Sequence, residues 1–139
     1  TVASPAWAKL LTALAQTASH VRGTSHTKWC IEAHQFRIDT TDGIGRPTPE
    51  GAHRDGVDFV AVFMVNRTDI KGGETRVFEA NGPQGERFTL SEPWSLMLLD
   101  DTRMIHESTP IQPLAEGGHR DTLVLTCRAD KFQDAEPSA

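Results

Sequence analysis

His53 and Asp55 stand two residues apart, and His106 follows far along the chain. Two imidazoles and one carboxylate make a facial ligand set suited to non-haem Fe(II), with room left for a chelating 2-oxo acid and for dioxygen. In an extended segment, side chains two apart leave the same face. His53 and Asp55 therefore project together, while Arg54 between them turns the other way. His106 has to arrive on a different strand laid alongside by the fold. The competing reading makes His53 and Asp55 a surface ion pair and His106 a hydrogen-bonded sheet histidine.

A short way beyond His106 comes Arg120, at the head of the run RDTLVLTC, which reads as a buried strand. Arg120 and Thr122 share one face of that strand. A guanidinium grips a carboxylate through two parallel hydrogen bonds, and a neighbouring hydroxyl adds a third. The pair is a sound design for the distal carboxylate of 2-oxoglutarate. The alternative for Arg120 is a structural salt bridge to Asp100 or Asp101.

These residues resemble the HxD…H triad and the trailing RxS/T pair of the Fe(II)/2-oxoglutarate-dependent dioxygenases. More narrowly, PEGAHRDGVDFV at 49–60, GGET at 72–75 and LDDTRMIHE at 99–107 resemble the bacterial free-amino-acid hydroxylases typified by L-isoleucine 4-hydroxylase. The resemblance runs from about Ile31 to Arg128. It implies a double-stranded β-helix (jelly roll), with Fe(II), 2-oxoglutarate and O2 as cofactor and cosubstrates. It also implies hydroxylation of a C–H bond of a free aliphatic L-amino acid, with succinate and CO2 released. Two alternatives stay open: a dioxygenase working on a tethered or peptide-bound substrate, or a metal-binding jelly-roll module without turnover.

The elements that would carry these residues are mostly strands. Segments 29–39, 58–66, 74–78, 88–90, 95–99, 103–107 and 122–128 read as short strands separated by turn signals, the pattern of a jelly roll. Segment 58–66 is apolar on both faces, as inside a sandwich. Ahead of them, Ser4-Pro5 opens a helix as N-cap and first-turn proline, and Gly23 closes it. Its stripe of Trp7, Leu10, Leu11, Leu14, Ala18 and Val21 is expected to pack on the outer face of a sheet. The Gly- and Pro-rich segment 40–49 reads as a loop leading into the first two ligands, and the polar end 130–139 reads as frayed.

Within this frame, Gln35 and Arg37 share a face of the first strand. They become candidate substrate contacts if that face lines the barrel, and surface pairing is the plainer role for Arg37. Arg46, in the loop, is a third candidate. His20, His26, His34 and His119 read as solvated or structural. Asp100 or Asp101 could orient a ligand histidine from behind.

The 139 residues suit one domain with a real core, here residues 1–139 as a single dioxygenase domain. The chain begins at Thr1, which leaves room for a natural segment ahead of it. A net charge of −5 and a pI near 5.6, with no Lys/Arg cluster, argue against nucleic-acid binding. No apolar run approaches the ~20 residues that cross a bilayer. Cys30 and Cys127 sit in apolar strand-like segments and read as buried free thiols, which places the protein in a reducing cytoplasm.

Overall fold

A computed structural model describes residues 4–24 and 28–129. The helix α1 spans Pro5–Arg22 and is bounded as its caps dictate. Ser4 Oγ accepts the Trp7 N–H at 3.0 Å. At the other end Gly23 takes φ 74°, a left-handed conformation that costs glycine little, and its N–H reaches the His20 carbonyl.

Among the described residues nine strands follow: β1 (Trp29–Asp39), β2 (Phe59–Thr68), β3 (Ile70–Gly72), β4 (Thr75–Glu79), β5 (Gly85–Phe88), β6 (Ser95–Asp100), β7 (Met104–Ser108), β8 (Ile111–Pro113) and β9 (His119–Ala129). They form a four-stranded sheet ordered β1-β9-β2-β6, a three-stranded sheet β5-β4-β7 and a two-stranded sheet β3-β8, antiparallel throughout. The strands β3 and β4 follow each other closely in the chain, as do β7 and β8. Segment 45–53 runs beside β7 and β8 through bridges Gly45↔Ile111 and His53↔His106. This is a mainly β jelly roll with a larger and a smaller layer.

Side-chain alternation along β2 divides the core in two. Phe59, Ala61 and Phe63 point outward with Leu123, Leu125 and Cys127 of β9, where Leu14 and Ala18 of α1 cover them. Val60, Val62 and Met64 point inward and meet Val77, Met97 and Leu99 between the layers. Two polar ties fix the helix. Trp29 Nε1 donates to Ser19 Oγ at 2.8 Å, and Arg22 forks onto both oxygens of Asp100 at 2.9 and 3.0 Å.

The expected stripe stops one turn short. Val21 is 54% exposed, because the last helical turn is held through Arg22 rather than through apolar packing. The strand expected at 88–90 lies instead at β5. Leu90 is buried, but the ladder runs through the polar residues Gly85, Glu86 and Arg87. The short β3 and β8 carry too few residues to show a period. Both cysteines are free; Cys127 is buried, Cys30 only partly so. Burial and the nearby Asp58 push the Cys127 thiol up to about 11, which leaves it protonated and inert. Helix α1 is not long and apolar enough to cross a membrane. The polar tail 130–139 and His26 lie outside the described residues.

Candidate metal centre and cosubstrate pocket

The two histidines face each other across a strand pair. His53 N–H donates to the His106 carbonyl at 2.9 Å and His106 N–H returns the bond at 3.0 Å. Such a reciprocal pair puts both side chains on one face, and the ring centroids stand 4.6 Å apart. Asp55 brings a carboxylate oxygen to 3.2 Å from His53 Nε2. One donor atom from each of His53, Asp55 and His106 lies within 4.8 Å of the others, so the trio could hold a metal ion.

Their surroundings prepare them for that. His53 Nδ1 sits 3.0 Å from the Gly51 carbonyl, which fixes its proton there and leaves the Nε2 lone pair facing Asp55. His106 is 8% exposed, and its Nδ1 is buried without a hydrogen-bond partner among the described residues. Burial, only partly offset by Asp55, lowers the His106 pKa and favours the neutral, ligating imidazole. Two neutral imidazoles and one carboxylate are the donor set that Fe(II) takes.

Asp101 makes the turn that carries Asp55. It is fully buried and accepts the backbone N–H groups of Asp55, Gly56 and Val57 at 3.1, 2.7 and 3.0 Å. Arg54 points away from the site, as the spacing predicts, and donates to the Asp101 carbonyl at 2.7 Å. Asp101 thus holds the turn that presents the Asp55 carboxylate, and does not orient a histidine.

The trio opens into a cavity of about 450 Å³ between the layers, with Arg120 and Thr122 of β9 in its wall. Arg120 is 6% exposed, and its Nε has no hydrogen-bond partner among the described residues. The salt bridge considered for it does not form, since Asp100 is engaged by Arg22 and Asp101 by the backbone. Burial, and then the nearby Arg67, pull the Arg120 pKa down to about 10, so the guanidinium stays charged at neutral pH. A charged guanidinium in a cavity wall, without a side-chain partner among the described residues, could take a carboxylate.

The remaining candidates are not brought to the cavity. Strand register pairs Ile38 with Arg120 and Phe36 with Thr122, so the even-numbered residues of β1 face inward. Gln35 and Arg37 therefore lie on the opposite face, and Arg37 forks onto Asp121 at 2.7 and 2.9 Å. Arg46 is exposed; its neighbours Pro47 and Thr48 line the cavity instead. The inner face of β1 contributes Glu32, His34 and Phe36, which sequence reasoning passed over. Alternation separates two faces, and only the pairing with β9 tells which one is inside.

A model of the 2OG-Fe dioxygenase family matches residues 1–126. The chain belongs to that family. That family takes Fe(II) as cofactor and 2-oxoglutarate and O2 as cosubstrates, and the His53–Asp55–His106 trio is of the type that could hold the iron. Among solved structures, the chain is similar to a bsmA homologue from Methylobium petroleophilum PM1, with 57% identity over 96% of this chain and 54% of that one, at a TM-score of 0.89. Two more distant structures share the fold. The Fe(II)/α-ketoglutarate-dependent dioxygenase TqaL has 24% identity over 72% of this chain and 42% of its own, at a TM-score of 0.60. IDO from Bacillus thuringiensis has 18% identity over 88% and 58%, at a TM-score of 0.70. The family member thus spans about half the length of these structures. No protein of curated function matches it.

Proposed function

We propose that His53, Asp55 and His106 hold Fe(II), that Arg120 with Thr122 grips the distal carboxylate of 2-oxoglutarate, and that the protein hydroxylates a C–H bond of a free aliphatic L-amino acid. The observation that carries this reading is the buried, unpartnered Arg120 guanidinium in the wall of the same cavity as the trio. A structural arginine finds an internal partner; one left open toward a metal-type donor set serves a ligand.

Bound iron supplies the activation of O2, coupled to oxidation of 2-oxoglutarate to succinate and CO2. The chain's own residues do the rest. Gly51 holds the His53 tautomer, burial keeps His106 neutral, and Asp101 fixes the turn that presents Asp55. Arg120 and Thr122 set the depth and orientation of the cosubstrate. The apolar walls at Val60, Val62 and Met97 keep water from the reacting centre. Glu32 and Arg128, in the wall of the same cavity, offer opposite charges to the ammonium and carboxylate of a free amino acid. This supports the substrate class that the sequence motifs imply.

The experiment is a screen of the twenty free amino acids with 2-oxoglutarate, Fe(II), ascorbate and O2, reading substrate mass and succinate. One aliphatic or thioether amino acid gains a single oxygen atom. A gain only in peptide- or carrier-bound substrates would overturn the free-amino-acid reading, and absence of succinate with every substrate would overturn the oxygenase reading.

A further inference from the structure

Strand alternation would send Arg67 outward. Val60, Val62 and Met64 point inward, and counting on by two reaches Asn66 and Thr68. The ladder between β2 and β9 does not keep that count. Met64 pairs with Thr122, but Asn66 pairs with Asp121 and Arg67 with Arg120, so a bulge at Val65 inserts one extra residue. Val65 packs on the helix side, and Asn66 reaches His119 there at 3.3 Å. From the bulge onward the parity is inverted, and Arg67 comes to the inner side directly opposite Arg120.

Two guanidiniums set directly across an antiparallel pair repel. The proximity is felt: Arg67 is among the causes that lower the Arg120 pKa. Among the described residues, the arginines found in ion pairs are Arg22, Arg37 and Arg76 instead. Arg67 Nη1 and Arg120 Nε are both buried and both lack a hydrogen-bond partner among the described residues. Room is made for Arg67 by Gly73, where a Cβ would come within 3.2 Å of Nη1 and 3.0 Å of Ile111 Cγ2. A bulge, a glycine and two facing guanidiniums, Arg120 buried and Arg67 half-buried, make poor sense as scaffolding. Together they fit a carboxylate, which offers about four lone-pair sites, more than one forked arginine uses.

We infer that Arg67 is a second guanidinium for the distal carboxylate of 2-oxoglutarate, so that this end of the pocket selects a dianionic 2-oxo acid over a monoanionic one. The inference rests on the cosubstrate reading above and adds a residue and a selectivity to it. Arg120 and Thr122 take one side of the carboxylate, Arg67 the other, and the ligand's charge relieves the repulsion between the two arginines.

The test is anaerobic titration of the Fe(II)-loaded protein, by calorimetry, with 2-oxoglutarate and with 2-oxovalerate. The second ligand keeps the chelating end and lacks the distal carboxylate. Arg67→Met raises the dissociation constant for 2-oxoglutarate about tenfold or more, the worth of a hydrogen bond to a charged group. It leaves that for 2-oxovalerate within about twofold. Arg67→Lys, which keeps charge and bulk should the methionine variant not fold, shows a smaller loss confined to 2-oxoglutarate. Unchanged 2-oxoglutarate affinity, or equal losses for both ligands, would overturn the inference and leave Arg67 a packing residue. Failure of the wild-type protein to bind 2-oxoglutarate at all would overturn the parent reading as well, and is seen before any variant is made.

Discussion

Arg120 and the three donor residues separate two functions that activity alone confounds. Arg120→Ala raises the dissociation constant for 2-oxoglutarate at least about tenfold, since truncating one partner of a buried charge pair costs roughly 2–5 kcal/mol. Fe(II) binding survives in that variant, and Arg120→Lys recovers only part of the loss because it lacks the planar fork. His106→Ala does the reverse and removes most Fe(II) binding; equilibrium dialysis against Fe(II) and anaerobic absorption titration read the two effects apart. That His53, Asp55 and His106 would meet, with Arg120 in the same cavity, was legible in the sequence from residue types, spacing and the family resemblance together. Which face of β1 lines the cavity was not legible for Gln35 and Arg37, since alternation is symmetric between two faces until β9 is laid beside β1; the surface pairing expected as the plainer role for Arg37 is the one it takes, on Asp121. Arg67 was invisible for a stronger reason: a bulge inverts parity without leaving a residue signature at Val65.

The elements are held where the site needs them by two neighbouring aspartates with different duties. Asp101 collects three backbone N–H groups of the turn around Asp55. Asp101→Asn exchanges one acceptor oxygen for a donor and lets that turn drift; Fe(II) affinity falls about tenfold or more, as for other groups that orient ligands from behind. Asp100 instead ties β6 to α1, and the Arg22 guanidinium holds its carboxyl at about 2, below the ordinary 3.8. A depressed pKa stabilises the fold above the ordinary value, and that contribution is lost as the pH falls from about 4 through 2. Denaturant unfolding at neutral pH should show Asp100→Asn less stable by roughly 2 kcal/mol. The difference from wild type should shrink to roughly a few tenths of a kcal/mol by pH 2; a difference still near its neutral-pH size there would assign the loss to packing. In sequence, Asp100-Asp101 was readable as a pair that could orient a ligand histidine or salt-bridge Arg120, and the fold uses it for neither. Helix α1 was readable to its caps because capping is local chemistry, whereas the polar edge strand β5 pairs without the apolar pattern that announces a strand.

At the scale of the whole molecule, the topology brings the first strand against the last. Trp29 pairs with Ala129, and β9 lies between β1 and β2 in the larger sheet. Contacts between such distant parts of the chain make folding slow, in the millisecond-to-second range that sheet proteins show. Stopped-flow tryptophan fluorescence should find refolding in that range, with no dependence on added Fe(II), because the scaffold closes through β9 and not through the metal. That central position of β9 also sets an order in time. The strand that carries Arg120 and Thr122 is the last of the described chain to be synthesised, and without it β1 has no ladder partner and β2 keeps only β6. His53 and Asp55 leave the ribosome long before the pocket can exist around them. A nascent chain can therefore offer loose ligands to any passing metal but cannot yet select among metals by geometry. With the ligand set proposed above, iron loading belongs after β9 has joined the sheet, and a chain stalled short of β9 should bind metal weakly, indiscriminately and without response to 2-oxoglutarate.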